Sequence, residues 1–397
     1  MIVESQDLVT HRAGFPALEH GVYANYATRG VMARAAIDAV SDNMLTLQAV
    51  GPSSRMAAAL IRREERALRD ALAALIGASP KELALLGSVS QAIALAFAGI
   101  DWKPDDVVVI GEGEPPGSWL CASHVAELHR VRIRGLPRPY QGPDFTARLA
   151  RRLCPRTRLV VLSHVDWVTG EAIELPEVVA AIRNGPAANA VIAIDGAQAV
   201  GAREIDLRDV DVDLYAFSGQ KWLCGPDGLA CAMLRSDRLH PSQIGWRAIS
   251  EVEVTAGLAL AQGATRFESG TLSNALVPGL RRALATADKF APAPVRFARI
   301  AALGRRLRDR LSCLSERHQC MAVLGSASDS GIVAVEIARR SSAEILARLA
   351  ACGIVVRAHS HPPSVRIAVH YLTLDTDIDR VVEVLDEVLS EGLIVVR

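Results

Sequence analysis

Short apolar runs separated by helical or polar segments recur through the first 220 residues of the chain. Residues 55–76 place alanine and leucine at helical spacing, with arginine and glutamate on the opposite face. Strands that are apolar on both faces and alternate with helices are typical of a mostly parallel sheet covered by helices on both sides. The sequence therefore predicts an α/β fold, with helices at 91–98 and 171–183. Its predicted strands lie at 83–86, 107–110, 159–162, 191–194 and 214–217.

The length of the chain indicates two domains, because 397 residues exceed what one ordinary hydrophobic core holds. We predict a large α/β domain over residues 20–255. Residues 1–19 and 256–397 are predicted to form a smaller domain, whose carboxyl-terminal part is α+β. In this part we expect a long helical stretch over 276–317. Its further predicted strands lie at 331–337, 353–358 and 364–369, and its further helices at 341–351 and 375–391.

The composition argues against several classes of function. Lysine plus arginine and aspartate plus glutamate number 44 each, so the charge gives no reason to expect nucleic acid as a partner. Charged residues interrupt the apolar stretches and the amino terminus is acidic, so we expect a cytoplasmic protein with no membrane partner. Seven cysteines without framework spacing predict no disulfide scaffold. Cys313, His318 and Cys320 fit no common zinc spacing, and we expect no metal.

Lys221 follows small and glycine-rich residues, in the segment Phe217-Ser-Gly-Gln-Lys221. Desolvation lowers the pKa of an amine and makes it a nucleophile toward a carbonyl, so an aldehyde cofactor held as a Schiff base is the expected chemistry. Asp195 ends a predicted strand and suits a protonated pyridine nitrogen, and Gln198 could reach a ring hydroxyl. Together these residues predict pyridoxal 5'-phosphate (PLP), with Lys221 as the catalytic residue. The alternatives are a lysine in a glycine-rich turn and an acid that only ends a strand.

A phosphate site is predicted where the strand at 83–86 gives way to a helix. Small residues there let backbone N–H groups approach a phosphate, and the amino end of a helix favours an anion. A hydroxyl and an amide beside Lys221 add further donors. The alternative is a strand-to-helix turn capped by serine. The residues predicted to hold the phosphate are Ser88, Val89, Ser90, Ser218 and Gln220.

Arg366 stands in the middle of an apolar predicted strand, where an arginine is costly unless it meets an anion. Its planar guanidinium suits the two oxygens of a substrate carboxylate. The alternative is an internal salt bridge. Residues 266–271 form a polar, glycine-containing loop that by itself indicates only a linker between the domains.

These segments resemble the class V aminotransferase family of fold-type I PLP enzymes, from about Tyr23 to the carboxyl terminus. That family includes cysteine desulfurases, isopenicillin N epimerase-like proteins, kynureninase and hercynylcysteine sulfoxide lyase. The resemblance implies a seven-stranded-type sheet, an amino-acid substrate, and a homodimer with active sites at the subunit interface. It gives Lys221, Asp195 and the phosphate residues the roles stated above.

The same resemblance assigns five further residues. Arg366 would bind the substrate α-carboxylate, while Asn25 and Thr28 would line the substrate pocket. Thr271 would reach the phosphate of the neighbouring subunit. Trp167 stands where desulfurases place an asparagine that contacts the cofactor.

Two departures from the desulfurases shape the functional expectation. Glu114-Pro-Pro-Gly117 replaces the aromatic residue that stacks on the ring, leaving Trp119 as a candidate. The loop around Pro362 is short and lacks the nucleophilic cysteine, so we expect the chain not to be a cysteine desulfurase. We favour a lyase that eliminates at Cβ and cleaves the C–S bond of a cysteine S-conjugate, near the epimerase and sulfoxide lyase branch. The alternatives are an aminotransferase, oxidative deaminase or epimerase, and a non-catalytic PLP-binding scaffold.

Overall fold

The computed structural model describes residues 6–142, 144–250, 259–326, 329–338 and 340–391. Its helices are α1 (Gln6–Arg12), α2 (Arg34–Ala49), α3 (Arg55–Ile76), α4 (Val89–Ala98), α5 (Pro116–His129), α6 (Phe145–Arg152), α7 (Leu175–Arg183), α8 (Leu276–Phe290), α9 (Ala293–Arg317), α10 (Ser342–Ala351) and α11 (Asp375–Ser390). Its strands are β1 (Val22–Tyr23), β2 (Leu83–Leu86), β3 (Val107–Gly111), β4 (Arg132–Leu136), β5 (Thr157–Ser163), β6 (Val191–Asp195), β7 (Leu214–Ser218), β8 (Ala230–Leu234), β9 (Met321–Leu324), β10 (Ile332–Ile337), β11 (Ile354–Val355), β12 (Arg357–Ser360) and β13 (Pro363–Ala368).

The larger sheet has seven strands in the order β2-β8-β7-β6-β5-β3-β4. The five strands from β3 to β7 pair in parallel with one another, whereas β8 pairs antiparallel with both β2 and β7. The predicted α/β fold with a mostly parallel sheet is confirmed. The five predicted strands of this sheet are confirmed as well, each within two residues of its predicted bounds.

The sheet is buried on both faces, which explains why its strands are uninterrupted apolar runs. Val160 and Leu162 of β5 pack in one hydrophobic cluster, together with side chains of α3 and α7. Leu159 and Val161 of the same strand pack in a second cluster with side chains of α4 and α5. Because successive side chains of a strand point to opposite faces, both faces had to be apolar.

Three predicted elements differ from the structure. The helix expected over 171–183 begins only at Leu175, with Pro176 in its first turn, a position that suits a residue without an N–H. The stretch 276–317 is divided into α8 and α9 at Pro292, because proline cannot continue the helical hydrogen bonds. The strand expected over 353–358 is two short strands, since β11 pairs with β1 while β12 pairs with β13.

A second, antiparallel sheet of four strands has the order β12-β13-β10-β9. Side chains of α9, α10 and α11 share one hydrophobic cluster with it. The predicted boundary at 255/256 lies outside the described residues, as do 1–5 and 392–397, and the division into two domains stays a prediction. Among the described residues, each helix is too short or too polar to cross a membrane.

A buried ion network fixes the loop around Glu268. One carboxylate oxygen of Glu268 accepts a hydrogen bond from the backbone N–H of Leu85 (2.8 Å), and Arg69 also pairs with this carboxylate. Arg247 bridges Glu268 (2.7 Å) and Glu65 (2.8 Å). These contacts attach the loop to β2 and α3, so the residues that follow Glu268 have a fixed starting point.

Candidate active site

The carboxyl ends of three neighbouring parallel strands form one edge of the larger sheet. Ser163, Asp195 and Ser218 are the last residues of β5, β6 and β7. Ser163 lies opposite Asp195 in the strand register. Open α/β sheets bind their ligands at the carboxyl ends of parallel strands. The fold therefore gathers these polar side chains where a ligand site is expected.

Lys221 lies three residues beyond the end of β7, beside this edge. Burial lowers the pKa of its amine, an effect that the Asp195 carboxylate opposes and the Arg366 guanidinium reinforces. Gly30, which sequence reasoning missed, supports the loop: its N–H donates to the Gln220 carbonyl (2.6 Å). A Cβ atom at position 30 would lie 2.1 Å from the Lys221 carbonyl oxygen. Only glycine allows this close approach.

Asp195 is a buried carboxylate with spare hydrogen-bonding capacity. Its Oδ1 accepts the Ala197 N–H at 2.8 Å. Burial raises the pKa of Asp195, whereas the neighbouring Lys221 lowers it. An acid with one oxygen committed to the backbone still has an oxygen with which to meet a cationic partner. The predicted partnership with a pyridine nitrogen is compatible with this position and stays a prediction.

The side-chain amide of Gln198 holds two segments of the site together. Its Nε2 donates to the Ala27 carbonyl (2.8 Å), and its Oε1 accepts the Trp222 indole N–H (2.9 Å). Gln198 therefore joins the loop before α2 to the residue that follows Lys221. Its predicted reach to a ring hydroxyl stays a prediction.

The residues predicted to hold a phosphate lie in two places, at the start of α4 and at the end of β7. Ser88 caps α4 by accepting the Gln91 N–H at 3.1 Å, as the alternative interpretation of this turn required. Val89 and Ser90 begin α4 and line a cavity. Ser218 is buried, and its hydroxyl has no hydrogen-bond partner among the described residues. The carbonyl of Gln220 is bonded to Gly30. All five assignments stay predictions.

Lys221 and Asp195 line the same cavity as the start of α4. Trp119, the candidate for ring stacking, instead donates to the Gly111 carbonyl (3.1 Å) and packs against the core. The cavity combines an amine, a buried carboxylate and a helix amino end, which are the groups that PLP needs. The remaining lining comes from Val89, Ser90, Ile93, Pro115, Gly117 and Ser118.

Arg366 is 2% exposed in the middle of β13. Its Nη1 donates to the Trp167 carbonyl (2.6 Å) and its Nη2 to the Thr28 hydroxyl, with Asn25 at 3.5 Å. Among the described residues, no carboxylate forms a salt bridge with it, so the alternative of an internal salt bridge is wrong for this part of the chain. Burial lowers the pKa of Arg366 to about 9, so the guanidinium is still charged at neutral pH. A buried cation that forms no ion pair within the described residues calls for an anion.

The other residues predicted to bind substrate or cofactor are Asn25, Thr28, Trp167 and Thr271. Asn25 and Thr28 contact the Arg366 guanidinium, which places them beside the predicted carboxylate site. The Trp167 indole N–H donates to the Gly113 carbonyl at 2.8 Å. Thr271 is exposed, and its predicted reach to a neighbouring subunit stays a prediction.

Two further residues near the site were not predicted. Glu114 is buried, and both its oxygens accept hydrogen bonds from Ser163 (2.6 and 2.7 Å). Burial, reinforced by the nearby Asp195 carboxylate, raises the pKa of Glu114 to about 8. His359 is buried on β12, edge-to-face with Trp167. Glu114 and His359 were missed because the sequence does not reveal that they are buried or which side chains they contact.

A lysine and a buried carboxylate at the carboxyl edge of a parallel sheet, beside the amino end of a helix, define a fold-type I PLP enzyme. The aminotransferase class-V family model matches residues 27–380. The chain belongs to this family, as its sequence led us to expect, and its cofactor is pyridoxal phosphate.

Three of the proteins that are similar to the chain cover between 54% and 94% of it. The cysteine desulfurase of Dickeya dadantii (strain 3937) is 29% identical over 375 residues, covering 90% of this chain and 88% of that protein. The isopenicillin N epimerase of Streptomyces clavuligerus is 33% identical over 221 residues, covering 54% and 52%. A complex of the cystine C-S lyase C-DES with its product cysteine persulfide superposes with a TM-score of 0.87 at 28% identity, covering 94% of this chain and 99% of that chain.

The prediction that the chain is not a cysteine desulfurase was wrong. Cysteine desulfurases from Dickeya and Pectobacterium are similar to 80–90% of the chain. The physical reason lies in what the exclusion relied on. The short hairpin at Pro362 shows only that this loop lacks a cysteine. Which bond of the substrate breaks is determined by the cofactor and by the groups around Cα and Cβ.

Proposed function

We propose that the protein is a PLP-dependent lyase that cleaves the C–S bond of cysteine or of an S-substituted cysteine such as cystine. The observation that carries the proposal is Arg366, a buried guanidinium that forms no ion pair with the described residues and that lies close enough to Lys221 to affect its pKa. A carboxylate on Arg366 would bring the α-carbon of an amino acid toward the Lys221 amine. Similarity to the C-S lyase C-DES supports the choice of a sulfur-bearing substrate.

PLP, when bound, supplies an electron sink for the negative charge that develops at Cα. Asp195 would hold the protonated ring nitrogen, and Ser218 with the first amides of α4 would hold the phosphate. Burial favours the neutral form of the Lys221 amine, so Nζ can take the proton from Cα. The Cβ–S bond then breaks, its electron pair leaving with the sulfur. The enamine that is released reacts with water to give pyruvate and ammonia.

We propose in addition that the enzyme is a homodimer with shared active sites. Thr271 is exposed and follows the loop that Glu268 attaches to β2 and α3. A fixed loop with an exposed hydroxyl suits a contribution to the site of a neighbouring subunit. Sedimentation of the holoenzyme at micromolar concentration tests the dimer, and a monomer with full activity would contradict it.

Replacing Arg366 should weaken substrate binding more than catalysis. In Arg366→Ala we expect binding of the amino acid to weaken by about 2–4 kcal/mol, because a carboxylate would lose a charged, buried partner. Steady-state kinetics should show this as a raised KM at nearly constant kcat. Arg208→Ala, which removes an exposed arginine paired with Asp206, is the matched control. An unchanged KM in Arg366→Ala would remove this residue from the site.

The reaction itself is tested by incubating the holoenzyme with L-cystine and with L-cysteine. We expect pyruvate and ammonia in equal amounts, together with a persulfide or sulfide. Alanine in place of pyruvate would contradict elimination while retaining C–S cleavage. Keto acid that appears only with an added amino acceptor, or loss of optical activity without sulfur release, would contradict C–S cleavage altogether.

A further inference from the structure

Two buried nitrogen atoms without partners lie on the hairpin formed by β12 and β13. They are Nε of Arg366 and Nε2 of His359, and neither has a hydrogen-bond partner among the described residues. His359 is 7% exposed and Arg366 is 2% exposed. Burying a polar atom without a hydrogen-bond partner costs free energy, because the atom loses its hydrogen bond to water. Two such atoms on one hairpin therefore indicate that a bound ligand supplies their hydrogen-bond partners.

The strand register places both side chains on the same face of the hairpin. Arg357 lies opposite Arg366, and His359 lies opposite Ser364. Residues two apart in a strand share a face, and so do residues directly opposite each other. His359 and Arg366 are thus diagonal neighbours on one face.

Trp167 contacts both of these residues. Its ring lies edge-to-face with the His359 ring, with centroids 4.7 Å apart, and its carbonyl accepts the Arg366 Nη1 hydrogen bond. The Asp166 carboxylate is already used by Arg138 (2.7 Å) and by two backbone N–H groups. The acid whose charge acts on both His359 and Arg366 is thus committed to other partners.

The ionisation of His359 fits a donor beside a cation. Burial, reinforced by Arg366 and Arg357, lowers the pKa of His359 to about 4, so the ring is neutral at pH 7. A neutral imidazole carries one N–H, on either nitrogen. A carboxylate bound nearby would select the form with the hydrogen on Nε2.

We propose that His359 is a substrate-binding residue whose Nε2–H donates a hydrogen bond to the same α-carboxylate that Arg366 holds. This inference rests on the proposed role of Arg366. It makes the carboxylate site a two-residue clamp, in which Arg366 supplies the charge and His359 fixes the orientation of the second oxygen.

The test compares two small amines that differ only in the carboxylate. Glycine and glycinamide are titrated into the holoenzyme and followed by cofactor absorbance. Neither has a leaving group, so the result is independent of whether the enzyme cleaves C–S bonds. His359→Phe keeps a ring against Trp167 and removes the nitrogen. We expect glycine to bind about 10-fold more weakly to His359→Phe and glycinamide to bind as it does to the unaltered enzyme.

Two further variants keep the outcome decisive. His359→Gln restores an N–H donor and should regain most of the glycine affinity. It also provides the test if the phenylalanine variant fails to fold. His361→Phe alters the exposed histidine of the same hairpin and should leave both ligands unchanged. Unaltered glycine binding in His359→Phe would overturn the proposal. An equal loss for glycine and glycinamide would also overturn it, because the ring would then act only by packing against Trp167.

Discussion

Lys221→Ala should abolish turnover, with kcat/KM falling by about 10⁴-fold or more, because the described residues that line the cavity include no second amine. The reason is the position of Lys221: it shares a cavity with Asp195, and burial lowers the pKa of its amine. The variant should also lose the covalent attachment of the cofactor. Absorbance spectra and steady-state rates of the purified variant measure both effects.

The chain offers a direct control for this result. Its lysines are few, at positions 81, 103, 221 and 289. Lys103→Ala removes a lysine remote from the cavity and should keep the spectrum and rate of the unaltered enzyme. Turnover in Lys221→Ala within tenfold of the unaltered enzyme would mean that another group moves the Cα proton.

Asp195→Asn should lower kcat by about 10³-fold while the protein still folds and binds PLP, because a neutral amide cannot stabilise a cationic ring nitrogen. The substitution keeps the shape of the side chain and the hydrogen bond from the Ala197 N–H. The loss should therefore fall on the chemical step. Single-turnover rates with L-cystine, measured alongside the melting temperature, separate this effect from unfolding.

Asp101→Asn is the control for Asp195→Asn, since the Asp101 side chain is 90% exposed. It should leave both the rate and the melting temperature unchanged. A full rate in Asp195→Asn would show that the carboxylate does not support the cofactor. A lower melting temperature with a normal rate would assign Asp195 a structural role.

Much of the fold was predictable because the strands of the larger sheet are buried on both faces. Such strands appear in the sequence as uninterrupted apolar runs, and β2 and β6 were predicted to within one residue. β4 escaped notice because its sequence, Arg-Ile-Arg-Gly-Leu, belongs to an edge strand that is only partly covered. The break between α8 and α9 was missed although Pro292 marks it, since apolar spacing continues on both sides.

The candidate site was predictable where a residue type is chemically unusual in its surroundings. A lysine in a glycine-rich turn and an arginine in an apolar strand both carry such a signal. His359 and Glu114 carry none, because their significance depends on the side chains that the fold brings against them. Gly30 is similar: its need for glycine arises from the Lys221 carbonyl, which lies 191 positions away in the chain.

The expectation that the chain is not a desulfurase relied on a single loop, the one around Pro362. The sequence of the β12–β13 hairpin determines the side chains at the end of that hairpin and does not determine the reaction. Glu114 illustrates the same point, since the expected ring-stacking position has a carboxyl group that instead bonds with Ser163. A local departure from a family pattern changes one contact and leaves the shared chemistry of the site in place.

The most direct test of the account is to reduce the holoenzyme with borohydride, digest it and locate the cofactor by mass spectrometry. We predict that the reduced pyridoxyl group is found on the peptide that contains Lys221. Finding it instead on the peptide of Lys81, Lys103 or Lys289 would contradict the assignment of the active site.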